Sequence, residues 1–220
     1  MIQFAAMLSC AVLSRAEQPI GILFDFATRP DSTVVNLMES EIRKILAPAH
    51  LQLSFLIIGE SSAARPFRKI VVVHFQGSCQ SRSERGIYLN NSDLLDYPAL
   101  GKTDVSGGHI LPYVRVYCNE IRAFMPSSSR ASHGQLYGRA LGRVVVHELY
   151  HALLSTRDHS RNGVARFAQS GRDLTRDRLA LDSRSLGRLR ELYGPKEKEG
   201  DSSTESPSKT AKDNRTRLEY

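Results

Sequence analysis

Long apolar runs are missing from this chain. The run at residues 2–13 is far too short to cross a bilayer, and no other stretch is long enough, so no membrane span is expected. Compact basic runs with interleaved aromatics are missing too. The net charge is +7, but the excess is mostly arginine scattered along the sequence. That pattern reads as a soluble basic surface with no nucleic-acid partner. Tryptophan is absent, and there are three cysteines. Neither Cys79 nor Cys118 has the spacing of a zinc ligand, which excludes a cysteine-based metal site. What remains is 41% hydrophobic residues over 220 positions. This suffices for one cored domain with appendages.

The appendages lie at the two ends. Residues 1–16, MIQFAAMLSCAVLSRA, read as a signal peptide, with Ser14 and Ala16 as the small residues before a cleavage point at Glu17. A positively charged n-region is missing, and the alternative is a buried N-terminal segment. Export implies a secreted or periplasmic protein. In such a compartment Cys79 and Cys118 either bridge or remain as two buried thiols. No long pro-segment stands between residue 16 and the first strand, so latency through a cysteine or aspartate switch is not expected. Residues 195–220 hold Lys, Glu, Ser, Asp and Thr with almost no apolar side chain. They are expected to be disordered. The folded domain is therefore residues 17–194.

Within that domain, PIGILFDF at residues 19–26, LQLSFLII at 51–58 and KIVVVHF at 69–75 have the β-rich apolar character of strands. The third, apolar throughout, is expected at a central buried position. His74 within it reads as a core histidine and not a ligand. Between the first two strands, Asp31 or Ser32 caps a helix running to about Leu46, with Val34, Val35, Leu37, Met38 and Ile42 on its apolar face. A short strand is expected at 86–89, and residues 90–106 read as loop. Gly107 and Gly108 open a further strand at 109–120, where Pro112 argues for an edge position. His109 at its start is not expected to be a ligand. Ser127, Ser128, Ser129 and Ser132 supply caps for a long helix, and His133 at its entrance is expected to be solvated. Gly138 and Gly142 on this helix permit close approach of a neighbouring backbone, expected to be the sheet. Ser170 leads into a short helix to about Leu181. Asp182 or Ser183 starts a last one, with Leu186, Leu189 and Leu192 on one face, ended by Gly194 and Pro195.

The long helix carries the chemistry. Leu136, Ala140, Leu141, Val144, Val145, Leu149, Ala152 and Leu153 recur at helical spacing. Inside this apolar pattern stand His147, Glu148 and His151, an H-E-x-x-H string. Residues four apart share a helix face, so the two imidazoles aim at one point. Polar groups on a buried helix need partners, and a metal supplies one. Glu148 reaches a water bound there. A third ligand comes from just past the Ser-Thr-Arg-Asp turn. His159 completes a three-nitrogen site without further charge, and Asp158 is the rival because carboxylate oxygen also binds zinc.

The stretch resembles the metzincin zinc metallopeptidases. It is closer still to a group of small secreted bacterial metzincin-like proteins with a pattern near H-E-I-G-H-L-L-L-G-x-x-x-H-S-x-x-G-I-M. That pattern falls on His147, Glu148, His151, His159 and Ser160, and Gly163 with Val164 match its G-I. Four positions depart from the patterns. Ser155 takes the place of the group's turn glycine, and Ala165 that of the turn methionine. The common metzincin motif has glycine and histidine where Leu154 and Arg157 stand.

The resemblance implies an α+β fold. A mixed, mostly parallel twisted sheet with an antiparallel edge strand would pack against an N-terminal helix and a zinc-binding active-site helix. It also implies a zinc endopeptidase. Zn2+ held by His147, His151 and His159 would activate a water, with Glu148 as general base. A peptide or protein substrate would lie along the edge strand, expected here at residues 109–120. The alternative is an exported zinc-binding pseudo-peptidase without turnover, suggested by Ser155 and Ala165.

Overall fold

The computed structural model describes residues 18–60, 66–81, 99–126 and 130–195. The expected leader, the short strand at 86–89, the serines at 127–129 and all but the first residue of the polar tail lie outside the described residues.

The three apolar runs become β1 (Ile20–Phe26), β2 (Leu53–Ile57) and β3 (Lys69–Gln76). They pair in parallel with β1 between the other two. Two further strands, β4 (Gly101–Ser106) and β5 (His109–Tyr117), complete a five-stranded sheet of order β2-β1-β3-β5-β4. β5 is parallel to β3, and β4 is antiparallel to β5. The mixed, mostly parallel sheet expected of the chain is therefore present, with its antiparallel strand at the edge.

Alternation along the strands sets two faces. Ile20, Ile22 and Phe24 of β1, Val71, Val73 and Phe75 of β3, and Val114 and Val116 of β5 are buried. They share one core with the apolar faces of α1 (Ser32–Leu46) and α3 (Arg130–Leu154). The intervening residues face the other way. His74 belongs to this second set. It is half-exposed, with Nδ1 2.7 Å from Asp25 Oδ2 on the neighbouring strand, so it is a cross-strand polar partner and not a core histidine.

Several boundaries differ from the sequence expectation. The strand at 109–120 ends at Tyr117, and Cys118–Phe124 turns into a helix, α2. It is also not the edge. Residues 101–106, read as loop, form β4 outside it. Pro112 is tolerated inside β5 for two local reasons. Pairing with β3 begins only at Tyr113, and pairing with β4 is interrupted by a register shift between Thr103 and Val105. The helix after Ser170 is short, α4 (Gly171–Thr175), closed by a capping box between Ser170 and Asp173. The last helix, α5 (Ser183–Tyr193), starts at the expected Asp182 cap, which accepts from the Ser185 N–H. Leu189 on it is buried, whereas Leu192 is exposed. His133 is half-buried, its ring stacked beside Tyr137.

Gly138 and Gly142 do permit a close approach, but the neighbour is α1 and not the sheet. A Cβ at Gly138 would stand 2.6 Å from Leu37 Cβ, and one at Gly142 would stand 2.8 Å from the Met38 carbonyl oxygen. A second tie joins the same helices. Arg143, fully buried on α3, places Nε 2.8 Å from Glu41 Oε1 on α1 and donates from Nη1 to the Asp173 carbonyl at 2.7 Å. Cys79, after β3, and Cys118, at the start of α2, form a disulfide with Cα atoms 5.1 Å apart. Among the described residues no helix is long and apolar enough to cross a membrane.

Candidate metal centre

His147, Glu148 and His151 lie on the last two turns of α3. Their backbone is held by Val144, Val145, Leu149, Ala152 and Leu153, all buried in the core. The helix then stops abruptly. Ser155 adopts a left-handed conformation, with φ of 48°. The Thr156 N–H reaches back to the His151 carbonyl oxygen at 3.3 Å, the long bond of a Schellman ending. The turn that the resembled pattern builds with glycine is thus built here with serine. The left-handed backbone costs a non-glycine residue about 1 kcal/mol.

From this turn the chain runs to His159, whose ring comes back over the helix. Ring centroids are 5.0 Å apart for His147 and His151, 5.2 Å for His147 and His159, and 4.7 Å for His151 and His159. One nitrogen from each of the three lies within 4.8 Å of the other two. Asp158 is not in this group.

A loop then closes beneath the rings. The Ser160 N–H donates to the Ala165 carbonyl at 2.9 Å, and the Val164 N–H donates to the Ala180 carbonyl at 2.9 Å. Gly163 makes the second bond possible. Its φ is 76°, and a Cβ there would lie 2.1 Å from the Ala180 oxygen. Ala165, at the place of the turn methionine, is fully buried.

The hydrogen bonds of the rings identify what the group is suited to hold. His147 Nδ1 lies 2.9 Å from the Val164 carbonyl oxygen, and His151 Nδ1 lies 2.8 Å from that of Thr156. A carbonyl only accepts, so both Nδ1 atoms carry the proton and both Nε2 atoms present lone pairs. Those two Nε2 atoms are 3.3 Å apart. Two acceptors so close repel each other unless a cation sits between them. Burial pushes the pKa of all three imidazoles down, which favours the neutral, ligating form. The residues therefore fit a metal ion. Three neutral nitrogens leave a position open for water or substrate.

Glu148 is almost fully buried beside this group. Burial pushes its carboxyl above the usual range, opposed by a hydrogen bond from Thr103. The Thr103 hydroxyl on β4 lies 2.7 Å from Glu148 Oε2. Gly101, two residues earlier, lies so close that a Cβ would be 2.9 Å from Glu148 Oε1. A cleft of about 430 Å³ opens in front of the group, with apolar walls that include Leu100, Phe124, Val144 and Leu174. At its mouth stands Phe167, 81% exposed, edge-on to the His159 ring at 5.1 Å.

The sequence pattern had already marked His147, Glu148, His151 and His159, and the fold brings them together. Sequence reading missed Thr103 and Gly101, which sit in the stretch taken for loop. It also missed Thr156 and Val164 as the carbonyls that orient the rings. His109, exposed at the start of β5, is not part of the group.

No family model matches the chain, and no curated protein sequence matches it. Among solved structures it is similar to the archaemetzincin of Methanopyrus kandleri. The TM-score is 0.47 at 15% identity, over 82% of this chain and 98% of that one.

Proposed function

We propose that the protein is a zinc-dependent endopeptidase, with His147, His151 and His159 as the metal ligands and Glu148 as the general base. The approach of two lone-pair-bearing imidazole nitrogens, with a third ring closing over them and a buried carboxylate alongside, carries this reading. Zinc, when bound, supplies Lewis acidity that acidifies a water and stabilises negative charge on a carbonyl oxygen. The Val164 and Thr156 carbonyls hold two rings in the ligating tautomer. Glu148 takes the water's proton as the carbonyl carbon is attacked, then delivers it to the leaving amine. The burial of Glu148 and the apolar walls of the cleft limit the carboxyl's contact with bulk water.

The substrate we assign is an extended peptide laid along β4, in place of the strand first expected. Tyr117 N–H donates to the Leu100 carbonyl at 3.0 Å. Alternation along an antiparallel pair then directs the N–H and C=O of Gly101 and Thr103 away from β5. Among the described residues no strand covers that edge. A peptide added there would place its backbone beside Glu148. An exported location fits the Cys79–Cys118 disulfide, since such bonds persist in oxidising compartments.

The test joins elemental analysis with hydrolysis of a fluorescently labelled unfolded protein. The expected result is one zinc per chain and turnover, with Glu148→Gln keeping the zinc and losing the turnover. Hydrolysis that survives in Glu148→Gln overturns the mechanism. Stoichiometric zinc with no hydrolysis in the unaltered protein leaves a metal-binding protein that is not a peptidase.

A further inference from the structure

We infer that Thr103 is a positioning residue for Glu148, fixing where its carboxyl stands in the cleft. The inference rests on the peptidase reading above. Thr103 lies on the face of β4 turned toward α3. Its Oγ1 is 2.7 Å from Glu148 Oε2 and 3.1 Å from the carbonyl oxygen of the same residue. A hydroxyl offers one proton and two lone pairs. Facing a carboxylate, it donates to Oε2. That bond anchors one carboxyl oxygen of Glu148 to the edge strand, in a buried site where an orphaned group is costly. Gly101 leaves room for the carboxyl, since a Cβ there would stand 2.9 Å from Oε1. The edge strand thus has a second role besides its backbone: its Thr103 side chain sets the base.

The substitutions that separate this from a merely structural contact are Thr103→Val, which keeps shape and removes the hydroxyl, and Thr103→Ser, which keeps the hydroxyl. In the zinc-loaded full chain acting on a labelled unfolded protein, Thr103→Val is expected to keep its zinc and lose about 10- to 100-fold in kcat. Its KM is expected to stay within about 2-fold. Thr103→Ser is expected to restore most of the kcat. A second readout needs no turnover. In zinc-stripped protein, thermal unfolding of Thr103→Val, Glu148→Ala and the double variant is expected to show shifts that do not add. An unchanged kcat in Thr103→Val, failure of serine to rescue, or additive shifts overturns the assignment. Absence of hydrolysis in the unaltered protein fails the peptidase reading instead, and the unfolding cycle still decides whether Thr103 and Glu148 are coupled.

Discussion

His151 and Thr156 are bonded to each other twice. The Thr156 N–H donates to the His151 carbonyl oxygen at 3.3 Å, and the His151 ring donates from Nδ1 to the Thr156 carbonyl oxygen at 2.8 Å. The end of the helix and the orientation of a proposed metal ligand are therefore one structure, and Ser155 in its left-handed conformation is what joins them. A β-branched side chain resists that backbone strongly. Ser155→Val is expected to lower stability by about 1–2 kcal/mol. Ser155→Gly is expected to change it by less than about 1 kcal/mol, because relief of the turn is offset by a more flexible unfolded chain. Denaturant unfolding with both variants side by side measures the difference, and equal losses in the two would show that the turn does not govern stability.

The third ligand is open to direct measurement. His159→Ala is expected to lose bound zinc or bind it far more weakly, while Asp158→Ala keeps about one zinc per chain. Elemental analysis after dialysis decides between them. Loss in Asp158→Ala alone would move the third ligand from nitrogen to oxygen.

Acid should weaken the metal-free protein through its histidines. Burial holds the folded-state pKa values of His147, His151 and His159 below the ordinary one. The unfolded chain therefore takes up protons first as pH falls. The contribution of these rings is fully present above the free imidazole pKa of about 6.5 and is lost progressively below it. Glu148, with its carboxyl raised by burial, works with the opposite sign. Its contribution is present at low pH and disappears as pH rises through the raised value. In a Glu148→Gln background, the melting temperature of zinc-stripped protein is expected to fall steadily between about pH 7 and pH 5. A flat profile would mean that the rings are not sequestered from water.

The pair between Arg143 and Glu41 predicts an asymmetry. Arg143→Met leaves the buried Glu41 with only the exposed Lys44, 3.9 Å away, and is expected to cost about 3–5 kcal/mol. Replacing both by apolar residues of similar volume is expected to cost much less. Equilibrium unfolding of the single and double variants gives the comparison, and equal costs would argue that the two charges do not depend on each other.

Reduction of the disulfide should be felt in the unfolded chain. Cys79 and Cys118 are 39 residues apart. Closing a loop of that length restricts the unfolded ensemble by about 4 kcal/mol in the chain-entropy picture. A Cys79→Ser, Cys118→Ser double variant is expected to unfold at correspondingly lower denaturant, and an unchanged midpoint would remove the bond from the account of stability.

The parts of this molecule that were legible in the sequence are those where burial repeats at a fixed period. The apolar spacing from Leu136 to Leu153 exposes α3, and any polar string inside it stands out, as His147, Glu148 and His151 do. β1 and β3 show themselves by runs of Ile, Val and Phe. β4 had no such signature. In GKTDVS Gly101 and Thr103 face a carboxylate rather than the core, and Val105, beyond the register shift, is exposed, so hydrophobic alternation never develops. Pro112 pointed to an edge because a missing donor usually does. Here it falls where neither neighbour pairs with that part of β5. The carbonyls of Thr156 and Val164 carry no side-chain signal at all, since any residue supplies one.

Gly138 and Gly142 let α3 rest directly on α1, and His147 follows nine residues after the first of them. That is about 14 Å along the helix axis. A wedge at the glycine that tilts α3 by about 5° would swing the imidazole through roughly 1 Å, twice the placement error that a metal or catalytic site tolerates. The helix is in this sense a lever with its fulcrum at the glycines. Precision at the candidate metal centre is set partly by two residues that carry no side chain and take no part in the group of three imidazoles.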